Sequence, residues 1–566
     1  MVIKMSLLVQ KTQQELREKI IDALGRAVAN GELPAEPIPN FNIEKPANSA
    51  NGDFSANVAL AGAKAFKKAP KAIAESIVNN LDLDGTLFDR AEIAGPGFLN
   101  FFLSQKYYSE IVKDVINKGA DYGKSDYGKG KKVLVEFVSA NPTGPMHIGN
   151  ARGGAIGDCL AAVLQWAGYE VSREFYVNDA GNQIEKFATS LEVRYLQIYK
   201  DDVELPEDAY HGADITAHAQ AFSEEFGDKF VDAPSQERRK ALVDFALPKN
   251  IAGLEHDLLE YRITYDNWFK ESTLHNDGSV KKIIDKFNEL GVTYEMDGAL
   301  WFKASEFGNE KDIVLVRANG LPTYIVPDIA YHYNKLVTRG YDKAIDVLGA
   351  DHHGYVPRMK AALTALGLDA SRLDAVIMQM VRLVRGGETI KLSKRSGKAL
   401  TLTTLLEEVP IDGARFFFNL REPNSHFDFD LDLAVEQSSQ NPVYYVQYAH
   451  ARICSILKKA ENEGITLRTP ADDELALLTS NEEKELITHL AGLTNEIIAS
   501  AKEYDPAKIT QYVIKLATLF HKFYNAQRVM TDNEGLMQAR LYLCTAVKET
   551  IKNILTMLKI SAPETM

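Results

Sequence analysis

Cysteine is scarce in this sequence: its 566 residues include only three, Cys159, Cys454 and Cys544, and they lie far apart. Because no Cys-x-x-Cys pair occurs, neither a disulfide framework nor a thiolate zinc site is expected. No apolar run approaches the ~20 residues of a membrane-spanning helix, and the N-terminal apolar stretch is too short for a signal peptide. These absences predict a soluble protein of a reducing compartment, the cytoplasm.

Positive charge is not in excess either. The chain has 64 Lys and Arg against 78 Asp and Glu, a net charge of −14. That balance argues against a protein that holds nucleic acid by bulk positive charge, although a local basic groove remains open. The composition, 45% apolar and 25% charged, excludes a wholly disordered chain. The length alone predicts roughly three or four domains.

Two common nucleotide-binding motifs are missing as well. The chain has no G-x-x-x-x-G-K-[ST] sequence, which excludes a P-loop enzyme. It also has no G-x-G-x-x-G sequence, because the glycines that follow Arg152 have a different spacing. A dinucleotide-dependent dehydrogenase is therefore not expected.

What the sequence does contain is three stretches of different pattern. Residues 1–122 mix helical periodicity with a strand pair, which predicts an α+β domain. From 123 to 432 strands alternate with helices, as in a parallel α/β sheet, around a charged helical insertion at about 182–275. From 433 to 566 only helical periodicity remains, which predicts an all-α domain. In detail, we predict helices at 57–81 (interrupted by Pro70), 150–167, 329–337 and 356–366, and strands within 91–104 and at 133–139, 170–178, 313–316, 323–326, 344–348 and 375–381.

A loop rich in proline and glycine follows the first predicted strand of the α/β sheet. It ends in His147-Ile148-Gly149-Asn150, directly before a predicted helix. The free N–H groups of a helix N-terminus favour a polyphosphate, and Gly149 lets an adenine ring approach the backbone. Taken alone, so short a pattern is more often a surface histidine.

A second short motif, Lys391-Leu392-Ser393-Lys394, follows the last predicted strand of the sheet. Its two lysines and its serine could reach the same phosphates, although by itself the motif equally suits a solvated basic turn. A histidine loop and a late K-x-S-K loop in one α/β sheet form a specific pair.

With this pair the sequence resembles the class I aminoacyl-tRNA synthetases, whose HIGH and KMSK motifs match residues 147–150 and 391–394. Asn150 replaces the last His but keeps a hydrogen-bonding side chain, and Leu392 is close in volume to Met. The resemblance implies a Rossmann-like catalytic domain in which His147, Lys391 and Lys394 are catalytic. It also implies that ATP, accompanied by Mg²⁺, contacts His147, Gly149, Asn150, Lys391, Ser393 and Lys394.

Longer stretches resemble the arginyl-tRNA synthetases in particular, and together they span nearly the whole chain. They include VEFVSANPTGPMHIGNARGGAIGD (135–158), YVNDAGNQ (176–183), YDNWFKESTLH (265–275), RANGLPTYIVPDIAYHYNK (317–335) and GADHHGYVPRMKAAL (349–363). The resemblance implies that 1–122 is an additional tRNA-binding domain, that the insertion at 182–275 is a connective segment, and that 433–566 binds the anticodon.

The resemblance also implies an arginine site. Carboxylates suit a planar guanidinium, which they meet in a fork geometry. Tyr324, Asp328 and Glu271 are expected around the side chain, and Glu136 and Asn141 at the α-amino end. His352 is expected as a further polar contact.

Each of these residues has a plainer interpretation. Asp328 could cap a helix, Tyr324 could be a strand aromatic and Glu271 a solvated acid. Glu136 is harder to dismiss, since a carboxylate inside an apolar strand is rare without a partner. The run Asp351-His352-His353 invites a metal site, but no further ligands have suitable spacing, so no metal-binding residues are predicted.

The reaction that the resemblance implies is arginine–tRNA ligation. Arginine and ATP give arginyl-adenylate and pyrophosphate, and a terminal ribose hydroxyl of tRNA(Arg), the 2′ one in class I, then takes the arginyl group. The expected partners are tRNA(Arg), L-arginine and ATP, with no membrane, and we expect a monomer. Three alternatives remain open: another class I synthetase, a nucleotidyltransferase that adenylylates a small metabolite, and an inactive relative that acts as an RNA-binding module.

Overall fold

The N-terminal part of the chain combines helices with a four-stranded antiparallel sheet. The computed structural model describes residues 8–46, 48–352, 354–390 and 401–566. Its first elements are α1 (Leu8–Ala29), β1 (Ile43–Glu44), β2 (Phe54–Ala56), α2 (Val58–Phe66), α3 (Pro70–Asn79), β3 (Phe88–Ala94), β4 (Phe98–Leu103) and α4 (Gln105–Lys118). Pro70 opens α3, a position where its missing N–H has no helical partner. The predicted helical region at 57–81 and the strand pair within 91–104 are therefore confirmed.

The middle of the chain alternates strands and helices. These elements are β5 (Lys132–Glu136), α5 (Ile148–Trp166), β6 (Glu170–Val177), α6 (Asn182–Leu196), α7 (Ala213–Phe226), α8 (Ser235–Glu260), β7 (Asn267–Lys270), α9 (Glu271–Asn276), α10 (Ser279–Glu289), β8 (Thr293–Met296), β9 (Ala299–Phe302), β10 (Ile313–Val316), α11 (Ile325–Tyr333), β11 (Lys343–Gly349), α12 (Tyr355–Ala365), β12 (Leu373–Met378), β13 (Val381–Arg385), β14 (Glu388–Thr389), α13 (Leu402–Glu408), α14 (Ile411–Phe418), β15 (Phe427–Asp430) and α15 (Leu431–Val435).

Five of these strands form one parallel sheet in the order β12-β11-β5-β6-β7. The chain order reverses between β5 and β11, because β5 leads outward to β6 and β7 while β11 leads outward to β12 on the other side. Ligands of open α/β sheets bind in the crevice at such a switch point, outside the carboxyl ends of the strands. The fold class predicted from the sequence, an α/β sheet between an α+β and an all-α part, is confirmed.

Three local predictions were wrong, and two of them concern residues 323–326 and the insertion at 182–275. Residues 323–326 are not a strand, because α11 begins at Ile325 and Pro327 lies in its first turn, where proline is tolerated. The insertion at 182–275 is not helical to its end, because β7 is the outer strand of the main sheet. Its Trp268 stacks on Phe175 of β6 with ring centroids 4.3 Å apart, and this tertiary contact outweighs the surrounding charged sequence.

The predicted strand at 375–381 is interrupted. It divides into β12, in the main sheet, and β13, which lies in a separate sheet of order β14-β13-β15. The strand predicted at 313–316 is confirmed as β10, but it belongs to the antiparallel sheet β10-β9-β8. Short apolar runs reveal a strand without revealing its partner.

The C-terminal part is helical, as predicted. Its helices are α16 (Pro442–Asn462), α17 (Asp472–Leu475), α18 (Asn481–Ala491), α19 (Leu493–Glu503), α20 (Ala507–Ala526) and α21 (Glu534–Met557). A buried charge cluster joins this part to α5, since Arg415 donates to Asp158 at 2.6 Å and to the Leu558 carbonyl at 2.9 Å. Lys559 reaches Asp158 as well, at 2.9 Å. Within the described residues, every helix is too short or too polar to cross a membrane.

Candidate active site

A cavity of about 740 Å³ lies at the switch point between β5 and β11. Glu136 ends β5 and is in register with Asp346 of β11, so two acidic residues sit side by side on neighbouring strands. The cavity is lined by seven of the residues that the sequence singled out, namely Glu136, Asn141, His147, Gly149, Asn150, Asp328 and His352. The structure therefore brings together residues that are up to about two hundred positions apart in the chain.

His147 occupies the N-terminal cap of α5. Its Nδ1 accepts the Gly149 N–H at 3.2 Å, and its own N–H donates to Asn150 Oδ1 at 3.1 Å. Because a backbone N–H can only donate, Nδ1 must be unprotonated, and the ring proton of neutral His147 is on Nε2. Among the described residues none accepts this Nε2–H, and the donor lies beside a helix N-terminus, which is a favourable place for an anion.

The predicted lysine motif lies outside the described residues, and this applies to Lys391, Ser393 and Lys394. The structure describes the chain again from residue 401, and there it contacts the histidine loop. Thr401 forms an antiparallel bridge with His147, and the Leu402 N–H donates to the Met146 carbonyl at 2.9 Å. The segment that begins at Thr401 is therefore held against the loop that carries His147.

Glu136 and Asp328 line the acidic side of the cavity, and Glu271, which is not a lining residue, lies close enough to Asp328 to affect its charge. Burial, together with the negative charges of Glu271 and Glu136, raises the pKa of the Asp328 carboxyl to about 7. Burial likewise raises the pKa of Glu271, of which only 7% is exposed. Among the described residues, no side chain forms a hydrogen bond or ion pair with the Asp328 carboxylate. A bound cation would relieve this repulsion.

The remaining predicted residues of the arginine site border this acidic side. A Cβ built on Gly181 would lie 3.7 Å from the Tyr324 ring and 4.0 Å from Glu271, so both flank the same backbone. With its amide oriented to suit its neighbours, Asn178 donates to Glu271 at 2.9 Å and lies 3.3 Å from Asn141. Tyr324 is 56% exposed, which places it at the rim rather than in the interior.

Three further residues at the cavity were not predicted from the sequence, and two of them, His332 and Asp346, line it. Lys335 is fully buried and contacts both Glu136 and Asp346, and His332 contacts Asp346 from the other side. A signal for them was present: Asp346, like Glu136, is a carboxylate inside an apolar strand. Asp328, His332 and Lys335 also follow one another at helical spacing.

The backbone after β5 is unusual. Val138 and Ser139 both have positive φ, 69° and 41°, a region that β-branched residues avoid. Ser139 is held there by its hydroxyl, which donates to Glu136 at 2.9 Å and accepts the Tyr176 N–H at 3.1 Å. Such strain persists where the surroundings over-determine it, and here it turns the chain sharply from Glu136 towards the His147 loop.

Chemically, the cavity combines two kinds of surface. Its lining includes the carboxylates of Glu136 and Asp328, with Glu271 near Asp328, and it also includes His147 at the N-terminus of α5. A cationic molecule and a polyphosphate can therefore lie next to each other in it. Proximity of two such reactants is what a transfer to or from phosphate requires.

Models of known protein families match most of the chain. A model of the catalytic domain of class I tRNA synthetases of the arginine type matches residues 111–453. A model of the arginyl-tRNA synthetase N-terminal domain matches residues 14–103, and a model of the DALR anticodon-binding domain matches residues 446–566.

Individual relatives agree with the family models. The chain is 54% identical over 559 residues to an arginine–tRNA ligase of Caldanaerobacter subterraneus subsp. tengcongensis, covering 99% of this chain and 100% of that protein. It is 51% identical over 564 residues to an arginine–tRNA ligase of Acetivibrio thermocellus, with coverage of 99% and 100%. The solved structure of Thermus thermophilus arginyl-tRNA synthetase has the same fold, with a TM-score of 0.72 at 24% identity over 96% of this chain and 99% of that one.

Proposed function

The chain belongs to the arginyl-tRNA synthetases of class I, and from this premise we propose how its cavity performs their reaction. The protein is an arginine–tRNA ligase, which activates L-arginine with ATP to arginyl-adenylate and pyrophosphate and transfers the arginine to the 3′ end of tRNA(Arg). The roles of individual residues below are our proposal.

We assign the acidic side of the cavity to arginine. Asp328 and Glu271 hold the guanidinium, with Tyr324 against it at the rim, and Glu136 and Asn141 hold the α-ammonium. His352, which also lines the cavity, contributes a further polar contact. The observation that carries this assignment is Asp328, a desolvated carboxylate that lacks a cationic partner among the described residues. A guanidinium supplies that partner in a planar fork.

Arginine binding should release a proton near neutral pH. Ligand-free Asp328 has a pKa of about 7, and a bound guanidinium lowers it, because opposite charge favours the ionised form. Below about pH 7 the carboxyl must therefore ionise as arginine binds, and the dissociation constant rises by up to about tenfold per pH unit as the pH falls. Above about pH 7, the ionisation of Asp328 no longer changes the dissociation constant of arginine.

Calorimetry in buffers of different ionisation enthalpy measures the released proton directly. We expect up to one proton at about pH 6 and almost none at about pH 8. Asp328→Asn should abolish most of the proton release. Glu271→Gln tests the smaller contribution of Glu271, the second carboxyl whose pKa is raised. Undiminished release in Asp328→Asn would assign the proton to another group.

The His147 side is assigned to ATP. The arginine carboxylate attacks the α-phosphorus in line, the bond to the β-phosphate oxygen breaks, and pyrophosphate leaves. His147 Nε2–H, the N-terminus of α5, and the ammonium groups of Lys391 and Lys394 stabilise the charge that develops on the phosphates. Gly149, Asn150 and Ser393 complete the ATP contacts. No nucleophilic side chain is needed, because positioning and charge stabilisation carry the step.

Mg²⁺ is proposed to arrive with ATP, whose phosphate charge it offsets. The acids nearest the phosphate side, Glu136 and Asp346, already contact Lys335. Phosphate oxygens and water are therefore the expected ligands.

The C-terminal helices are proposed to contact the anticodon region, and residues 1–122 to contact the tRNA elsewhere. Tyr444 and Tyr448 of α16 stack with centroids 6.2 Å apart, and Arg452 lies over Tyr448 at 4.5 Å and over Tyr524 at 5.0 Å. Such an aromatic and arginine surface suits unpaired bases and phosphates. We further propose that a monomer acts in the cytoplasm and that the 2′-hydroxyl of the terminal ribose accepts the arginyl group.

Exchange of pyrophosphate into ATP tests the substrate. We expect exchange with arginine and not with lysine or citrulline, since either analogue leaves buried polar groups of the pocket unpaired. Each amino acid is assayed with and without bulk tRNA, because the family resemblance implies that activation needs cognate tRNA. Exchange with another amino acid at a comparable rate would reject the pocket assignment.

A further inference from the structure

A chain of buried polar and charged contacts joins residues of the cavity wall: Glu136, Asp346 and His332 line the cavity, and the buried Lys335 lies against two of them. Lys335 Nζ contacts Glu136 Oε2 and lies 2.9 Å from Asp346 Oδ1. Asp346 Oδ2 lies 2.8 Å from His332 Nε2, and His332 Nδ1 lies 2.8 Å from the main-chain oxygen of Asp328. The contacts are continuous from Glu136 to the first turn of α11.

The members of this chain are shielded from solvent. The side chain of Lys335 is 0% exposed, that of His332 2% and that of Asp346 4%. Burial disfavours the Lys335 cation, but Asp346 and Glu136 outweigh it and raise the pKa of the ammonium to about 12. Lys335 and His332 in turn hold the pKa of Asp346 below its usual range. Buried ion pairs of this kind add little net stability and are retained where they specify one geometry.

The residues at the two ends of this hydrogen-bonded chain are the ones that hold the two ends of the substrate in the proposed function. Glu136 ends β5 and is assigned to the α-ammonium, while Asp328 lies in the first turn of α11 and is assigned to the guanidinium. Between them Lys335 lies in a wider, π-helical turn, Asn334–Thr338, that follows α11. Such turns are frequent at functional sites. The hydrogen-bonded chain is thus a brace between a strand end and a helix start, through the neighbouring strand β11.

We propose that Lys335, Asp346 and His332 are positioning residues that set the separation of Glu136 from Asp328, and thereby make the pocket selective for the side-chain length of arginine. This inference rests on the proposed arginine site. Attraction of the guanidinium does not by itself select the length of the substrate side chain, because Asp328 and Glu271 attract any guanidinium. The pocket can select one side-chain length only if the carboxylate at the other end, Glu136, is held at one distance from Asp328. Lys335 contacts one oxygen of Glu136 and Ser139 contacts the other, and these contacts hold it in place.

The test compares arginine with two guanidino analogues, homoarginine with one more methylene and 2-amino-4-guanidinobutanoate with one fewer. For Lys335→Met we expect kcat/KM for arginine to fall about 100-fold, which is the effect of misplacing a reacting group by about 1 Å. For the better of the two analogues, we expect kcat/KM to fall less than about tenfold. The ratio of kcat/KM for arginine to kcat/KM for the better analogue thus falls by about tenfold or more. Removing one buried cation favours all three cationic substrates alike, so this ratio reports only the effect of side-chain length.

The matched control is Lys343→Met. Lys343 also pairs with an aspartate, Asp374 at 2.5 Å, but it begins β11 at the opposite end of the sheet from the cavity. We expect this variant to keep the wild-type preference. An equal fall for all three substrates in Lys335→Met, or the same narrowing in Lys343→Met, overturns the inference.

A milder variant covers the case in which Lys335→Met does not fold, as a thermal melt would show. Asp346→Asn keeps an amide between Lys335 and His332 while it removes the charge, and it should narrow the preference in the same direction. An unchanged preference in folded Asp346→Asn also overturns the inference. A wild-type protein that activates arginine no better than the analogues also overturns the inference, whereas the proposed function fails separately, namely if the wild-type protein does not activate arginine at all in the presence of tRNA.

Discussion

Asp328→Ala is expected to raise the KM for arginine by about two to three orders of magnitude, while the KM for ATP stays nearly unchanged. In the bound state the carboxylate faces a desolvated guanidinium, and removing it leaves that charge unpaired inside the cavity. Breaking such a pair costs about 2–5 kcal/mol. ATP is unaffected because its contacts lie on the His147 side.

The control for this variant is a second carboxylate that lines the same cavity. The Asp351 side chain is 84% exposed, so Asp351→Ala removes the same negative charge with little change in desolvation. We expect it to change the KM for arginine by less than about threefold, the range of exposed ion pairs. Asp328→Asn keeps the shape of the side chain and should fall between the two. Equal increases in the KM for arginine and for ATP in Asp328→Ala would falsify its place beside the guanidinium.

His147→Asn is expected to lower kcat for adenylate formation by about 100- to 1000-fold, the usual effect of removing one donor from a developing oxyanion. Asparagine is chosen because His147 has two functions that can be separated. Its Nδ1 caps α5, and its Nε2–H is proposed to contact the ATP phosphates. Asparagine is among the best N-terminal caps, so the variant keeps the first function and loses the second.

His147→Ala provides the comparison, since it removes the cap as well as the donor. We expect it to unfold more easily than His147→Asn by about 1 kcal/mol, with a similar kcat. Thermal melts and single-turnover rates of adenylate formation measure the two effects independently. If His147→Asn turned over at the wild-type rate, the imidazole would be only a helix cap.

Local structure around the ATP loop could be predicted because it depends on neighbours in the chain. The apolar strand before the loop, the Pro and Gly residues within it and the helix after it are adjacent in sequence, and they predicted β5, α5 and the position of His147. Glu136 stood out for the same reason, as a carboxylate among valines. The stretches shared with the arginyl-tRNA synthetases then identified the family, and the matched domain models confirm it.

Contacts between distant segments were decided by the tertiary structure. Asn267–Lys270 became a strand only because β6 offered it an open edge and an aromatic surface. Residues 323–326 became the start of a helix although their short apolar run suits either structure. Lys335 became a partner of Glu136 only because the parallel order of the sheet places β11 beside β5. Sequence periodicity reports which face of an element is apolar, whereas the choice of neighbour depends on how distant segments pack together in the folded chain.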